Sequence, residues 1–452
     1  MGFPSKKGRG IKRCAVLIIF IGAIMTISGI GTLASAASAY KYPAKERTYK
    51  KKTLNVALVG EPRSEAVKKL TAEFEARTGA KVNIDVLPYS NLEEKQNVAL
   101  TQKAGIYAVV DVNCIWAAQY LEGGWIVPLD GYIEKTDPNV IRIDDFVPAM
   151  LDIQGTWDGK IYGLPFISAM FHMWYRTDIF EKHNLKPPDS WDDVVKLSKV
   201  INQKEKTNGV AGVTFMAKRG IQLDVEFHNV LCSMGGYYYD KNFKATLNTP
   251  EAIRAMEYLK SLVPLSNPGV LSQDYPEAQT AFAQGKAAML LQWNNAYSPF
   301  LDENSSKIVG KWAGYLLPGQ KQSDGSVRRG PMLAGWGIGI AADSKEKDLA
   351  WEWIMWATLL EQEKKLATSG PGARKSFFED PEIKAKHPWF DWTFKSLEYA
   401  TALPRYSFWP KMNEQLDVYL SQAITGERPV KDAMKDLNRE VDRVLKESGY
   451  QK

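Results

Sequence analysis

Apolar residues recur along this chain at two alternating periods. Residues 54–59 form an apolar run that predicts a strand, followed by the loop Gly60-Glu61-Pro62-Arg63. From about Ser64 the spacing changes to three and four, with Val67, Leu70 and Phe74 on one face, and the pattern stops at Gly79. Val82, Ile84 and Val86 then alternate with Asn83 and Asp85 as a second strand, which completes a βαβ unit and predicts a parallel sheet with a right-handed crossover. A third strand over 107–112 leads to Trp116 and a short helix ending at Gly123-Gly124. Ligands of open α/β sheets bind at the carboxyl ends of strands, so the loops carrying Glu61, Arg63, Tyr89, Asn91 and Trp116 are expected to share one edge.

The pattern continues beyond residue 161. Pro187 to Asp193 reads as a loop ending in a capping box, Ser190 with Asp193, and opens a helix carrying Val194, Leu197 and Ile201. Pro250 sits at the first position of a helix whose buried stripe is Ile253, Met256, Leu259 and Leu262. Further helices are expected over 348–360, 412–424 and 430–448. A chain of 452 residues exceeds one compact core, and with no repeat or low-complexity linker it reads as two α/β halves joined by short ordered crossings.

The net charge of +6 changes meaning once it is located. Lys6, Lys7, Arg9, Lys12 and Arg13 precede an apolar run over 14–33, and small residues follow through Ala39. A basic segment, an apolar segment and small-x-small sites predict a signal peptide over residues 1–39, cleaved after Ala36 or Ala39. An uncleaved membrane anchor is the alternative. Removing the five cations takes Lys plus Arg from 58 to 53 against 52 acidic residues, so the exported part is nearly neutral and no nucleic-acid partner is expected. Three cysteines do not make a disulfide scaffold, and whether Cys114 pairs with Cys232 stays open.

Signatures of catalysis are missing. There is no G-x-S-x-G, H-E-x-x-H, C-x-x-C or P-loop, and four scattered histidines show no ligand spacing, so neither a metal nor a cofactor is expected. The glycines of Gly335-Trp336-Gly337-Ile338-Gly339 recur at period two, which is strand periodicity and not the spacing of a dinucleotide loop. Aromatic residues beside small polar ones are abundant instead, at Trp116, Trp174-Tyr175, Trp293-Asn294-Asn295 and Trp336. Flat rings stack on the C–H face of a sugar while amides and carboxylates bond its hydroxyls, so the combination suits a neutral polyhydroxylated ligand. Trp351, Trp353 and Trp356 fall on one amphipathic helix and read as core.

Several segments, in order, carry a family resemblance: Leu121 through Asp130 with its Pro-Leu-Asp ending, Trp157-Asp158-Gly159-Lys160-Ile161-Tyr162-Gly163-Leu164-Pro165, Met173 through Phe180, Pro187 through Asp193, Ala281 through Met289, and the strand from Gly335 to Ile340. Over residues 52–448 the chain resembles family 1 of the extracellular solute-binding proteins of ABC transporters, the group that includes maltose-binding protein. The resemblance implies an α/β fold of two lobes, each a mostly parallel sheet flanked by helices, joined by crossing strands with the ligand between them. The first lobe would comprise 40–165 plus 336–400 and the second 166–335 plus 401–452. Crossings are expected at 162–165, 331–335 and 400–403. It further implies a monomeric periplasmic receptor, not an enzyme, that hands a sugar or polyol to a membrane permease. The residues expected at the ligand are Glu61, Tyr89, Trp116, Trp293, Asn294, Gly335, Trp336 and Arg374, the last matching a family position that often contacts ligand. A glycerol-phosphate-type receptor is the alternative, for which Arg63, Arg374 and Arg405 are the available cations. A secreted glycoside hydrolase or lectin stands third.

Overall fold

The computed structural model describes residues 49–451. The expected signal peptide lies outside the described residues. Seven strands form one mixed sheet: β1 (Thr53–Val59), β2 (Lys81–Leu87), β3 (Val109–Asn113), β4 (Leu164–Arg176), β5 (Met289–Trp293), β6 (Trp312–Tyr315) and β7 (Leu333–Ile340), in the order β2-β1-β3-β7-β4-β5 with β6 also paired to β4.

The expected βαβ unit is present. Residues 53–59 pair in parallel with 81–87, and the connecting helix Pro62–Thr78 buries Val67, Thr71 and Phe74. Proline occupies its first turn, where a missing N–H costs nothing. The helix stops at Gly79, whose φ of 73° lets its N–H return to the Glu75 carbonyl. The Ser190–Asp193 capping box and the Thr249–Pro250 helix start also form as the sequence implies. Trp351, Trp353 and Trp356 are core residues.

Parallel pairing extends from β2 through β1 to β3. The other named strands pair antiparallel, β7 with β3 and β4, and β4 with β5 and β6, while parallel bridges at Ala211–Ala287, Val213–Ser266 and Thr214–Leu290 extend the far half. The 13-residue β4 unites the two halves. Leu164 to Met170 pair with β7, and from Phe171 onward the strand pairs with β5 and β6. Partners therefore change at Met170–Phe171, several residues beyond the crossing expected at 162–165. The other two expected crossings lie side by side: the Leu333 amide donates to the Thr401 carbonyl (2.8 Å) and the Thr401 amide to the Pro331 carbonyl (2.9 Å).

Helix Pro148–Gly155 lies on β7 so closely that β7 must present glycine. A Cβ at Gly337 would stand 2.1 Å from the Gln154 carbonyl oxygen, and one at Gly335 2.1 Å from that of Ile167. Gly335 also holds φ +129°, open only to a residue without a side chain. Gly337 thus answers a close approach of a helix, and Gly335 one of the neighbouring strand.

Candidate functional site

Three of the expected aromatic residues meet at the carboxyl ends of β2 and β3. Tyr89 opens the helix Tyr89–Thr101 after β2, Trp116 caps the helix Ala117–Glu122 after β3, and Trp336 lies on β7 opposite Asn113 and Ile167. Their rings pack edge to face, with centroids 4.8 Å apart for Tyr89–Trp116, 5.0 Å for Trp116–Trp336 and 5.7 Å for Tyr89–Trp336. Such pairs contribute about 0.5–1.5 kcal/mol each beyond their buried area. This wall is held by its own members.

Glu61 follows β1 at the start of the helix Pro62–Thr78, but its side chain makes no cap bond. It reaches instead to the far half of the sheet, where Asn295, just past β5, donates Nδ2–H to its Oε2 at 3.1 Å. The Tyr275 hydroxyl donates to Asn295 Oδ1 at 3.3 Å and also bonds Glu61. Burial raises the Glu61 carboxyl to about 7, partly offset by these two bonds. Asp111 lies deeper, accepts the Val59 amide at 2.6 Å, and is pushed well up by burial.

On the far half, Trp293 ends β5, donates its indole N–H to Gln222 Oε1 at 3.1 Å and packs edge-on against Phe171. Gln222 belongs to the helix Ile221–Ser233, which also carries Asp224, and Asp224 faces Asp417 of the helix Trp409–Thr425. The Asp417 charge reaches the Tyr89 phenol, so this acidic pair stands near the aromatic wall.

Two expected residues make internal contacts in this structure. Asn294 secures the point where β4 changes partners: its amide donates to the Met170 carbonyl (2.8 Å), its Oδ1 accepts from the Met170 amide (3.1 Å), and its Nδ2 donates to Thr393 (3.3 Å). Arg374 is 2% exposed and spends its guanidinium on the carbonyls of Thr358 (2.7 Å), Arg142 (3.1 Å) and Ile141 (3.2 Å), beside Asp145 and over the Phe146 ring. It is a packing residue. Gly335 serves the contact between strands already described.

Of the other cations, Arg63 is buried, donates to the Gly370 carbonyl and lies near the Glu363 charge, and Arg405 donates to the Thr156 carbonyl while covering the Trp157 ring. Cys114 and Cys232 are free thiols.

Sequence reasoning missed Asp224, Asp417, Gln222 and Tyr275. Residues 222–228 alternate polar and apolar like a strand, which hid the helix that carries Asp224. Asn295 was next to the residue chosen, and only the local backbone decides which of two adjacent amides faces the other half.

The model of the bacterial extracellular solute-binding protein family matches residues 60–364. The chain belongs to that family. Among relatives of this solute-binding protein, a probable amino-acid ABC transporter periplasmic-binding protein of Sinorhizobium fredii is 24% identical over 404 residues, covering 86% of this chain and 88% of the relative. The mannitol-binding protein of Pseudomonas aeruginosa is 22% identical over 431 residues, covering 88% and 94%. An ABC transporter solute-binding protein from Agrobacterium radiobacter, solved in complex with ribitol, superposes with a TM-score of 0.80 at 26% identity over 87% of this chain and 99% of that one. The fold is therefore the two-lobed α/β binding-protein fold, and the strands that change partners are its crossings. No helix of the described residues is long and apolar enough to cross a membrane.

Proposed function

We propose that this protein captures a sugar or polyol between its lobes and delivers it to the membrane permease of an ABC importer. It acts as a monomeric periplasmic receptor exported by its signal peptide and performs no catalysis. The lobes in this reading are residues 40–165 plus 336–400 and 166–335 plus 401–452. The observation that carries it is the pairing of an aromatic wall, Tyr89, Trp116 and Trp336, with a far side of hydrogen-bonding groups, joined by the Glu61–Asn295 bond. Rings of this kind cover the C–H faces of a polyhydroxylated ligand, and Glu61, Trp293 with Gln222, and Asn295 address its hydroxyls. The ribitol complex and the mannitol-binding relative support the same ligand class.

Ligand contacts to both lobes at once favour the closed arrangement, and they shift the equilibrium only by their differential affinity for closed over open. The Glu61–Asn295 bond is one that opening breaks. The glycerol-phosphate alternative loses support because Arg63 and Arg374 are committed to internal carbonyls.

Isothermal titration of the mature protein with ribitol, D-mannitol, maltose, glycerol 3-phosphate and a set of amino acids tests the reading. Saturable binding of at least one neutral polyol or sugar is expected. Binding confined to glycerol phosphate or to amino acids would overturn it.

A further inference from the structure

Asp224 is 0% exposed, and neither of its carboxyl oxygens meets a donor among the described residues. What faces it is another carboxyl group, that of Asp417, with which it bonds only when a proton lies between them. The unmet acceptors do not end there. Asp417 Oδ1 and, one turn earlier on the same helix, Asn413 Oδ1 are also enclosed without a partner, and so is the hydroxyl of Tyr238, which is 0% exposed and close enough to feel the Asp224 charge. A shared proton satisfies one oxygen of the carboxyl pair and leaves the rest wanting donors.

Burying an acceptor without a donor is costly, and folded proteins seldom retain several in one place unless something outside the chain supplies the missing bonds. The position of the pair says what that is. Gln222, two residues before Asp224 on the same helix, holds the Trp293 indole, and the Asp417 charge reaches the Tyr89 phenol of the aromatic wall. The helix that carries Asp224 thus also supplies a residue of the proposed site, and Asp417 is within electrostatic reach of its stacking surface. The opposite charges of Arg219 and Glu414 both reach Asp417, and a shared proton leaves the pair one negative charge, which O–H donors of the neutral ligand class proposed above can bond.

We propose that Asp224 and Asp417 form a hydroxyl-binding subsite that takes two adjacent O–H groups of the sugar or polyol, one donated to each carboxyl. The subsite rests on the function proposed above and adds to it a polarity rule: at this end of the cleft the ligand must donate. Ligands carrying an adjacent diol are admitted, and analogues that present an ether or a carbonyl there are rejected because both acids stay unpaired.

The test uses the mature full chain and its Asp224→Asn and Asp417→Asn variants, with ribitol, D-mannitol and D-tagatose as probes, read by calorimetry and thermal unfolding. Each amide keeps the volume but gives its neighbour a donor, so the unliganded variants should melt at or above the wild-type temperature while affinity for the probe falls about 10- to 100-fold. Unchanged affinity in both variants would overturn the subsite and assign the unmet oxygens to buried water. Lower melting of both unliganded variants with affinity intact would overturn it too, by making the pair a structural device. Failure of the wild-type protein to respond to any of the three probes would remove the sugar-or-polyol reading itself, and the subsite with it.

Discussion

The two faces of the cleft are built on opposite principles. On the first lobe, Tyr89, Trp116 and Trp336 complete one another with ring edges on ring faces, and Trp116 and Trp336 are almost fully enclosed. On the second lobe, Asp224, Asp417, Asn413 and Tyr238 keep polar atoms that, apart from the proton the two acids share, find no partner among the described residues. In the proposed reading one face holds the fold as well as the ligand, while the other carries a cost that a bound polyol relieves. Side chains on the first face should therefore be needed for stability and those on the second dispensable for it.

The largest expected effect is on a residue outside both faces. Arg374→Ala would strand three carbonyls and Asp145 around a buried hole, costing about 3–5 kcal/mol in urea unfolding, with ligand affinity of the folded protein unchanged. Loss of affinity at intact stability would return Arg374 to the cleft. Trp116→Ala should cost about 3–4 kcal/mol by the same measurement and weaken binding as well, because its ring belongs to core and wall together. A Trp116 variant as stable as wild type would erase the contrast between the faces. Asn295→Ala removes one hydrogen bond between the lobes, worth about 1 kcal/mol, so calorimetry should show roughly fivefold weaker binding and an almost unchanged melting temperature.

Another expected effect is a slope. Burial holds the Glu61 carboxyl protonated up to about 7, so the folded state binds this proton more tightly than the unfolded chain does at its ordinary value of 4.5. The group's contribution is intact below about 4.5 and is lost as pH rises through 7, which means Glu61 makes stability fall with pH across that window. Glu61→Gln removes this component. Denaturant titrations at pH 5 and pH 8 should show the variant gaining on wild type at the higher pH, and a constant difference would contradict the enclosed carboxyl.

Much of the fold was legible because local signals agreed with it: Pro62 and Gly79 bracket a helix between two strands of apolar residues, and Ser190 and Asp193 cap another. The aromatic wall was legible because strand ends in α/β sheets converge, and Tyr89 and Trp116 follow the ends of the two strands that flank β1. Two kinds of information were not local. Whether Arg374 meets ligand or carbonyl oxygen depends on where residues 141–146 pass, more than two hundred positions earlier. Asp224 and Asp417 lie on helices almost two hundred positions apart, and nothing in either segment announces the other. The contacts of Asn294 and Asn295 were not legible for a smaller reason: the first amide bonds the Met170 peptide group at the crossing, which leaves the second to reach Glu61.

The most direct measurement is a crystal structure of the mature protein with D-mannitol or ribitol bound. The expected result is a polyol lying between the Trp116–Trp336 wall and the Asp224–Asp417 pair, with two neighbouring hydroxyls on the acids and Glu61 bonded to Asn295 beside it. A polyol bound elsewhere, or one in the cleft with both carboxyls still without a donor, would contradict it.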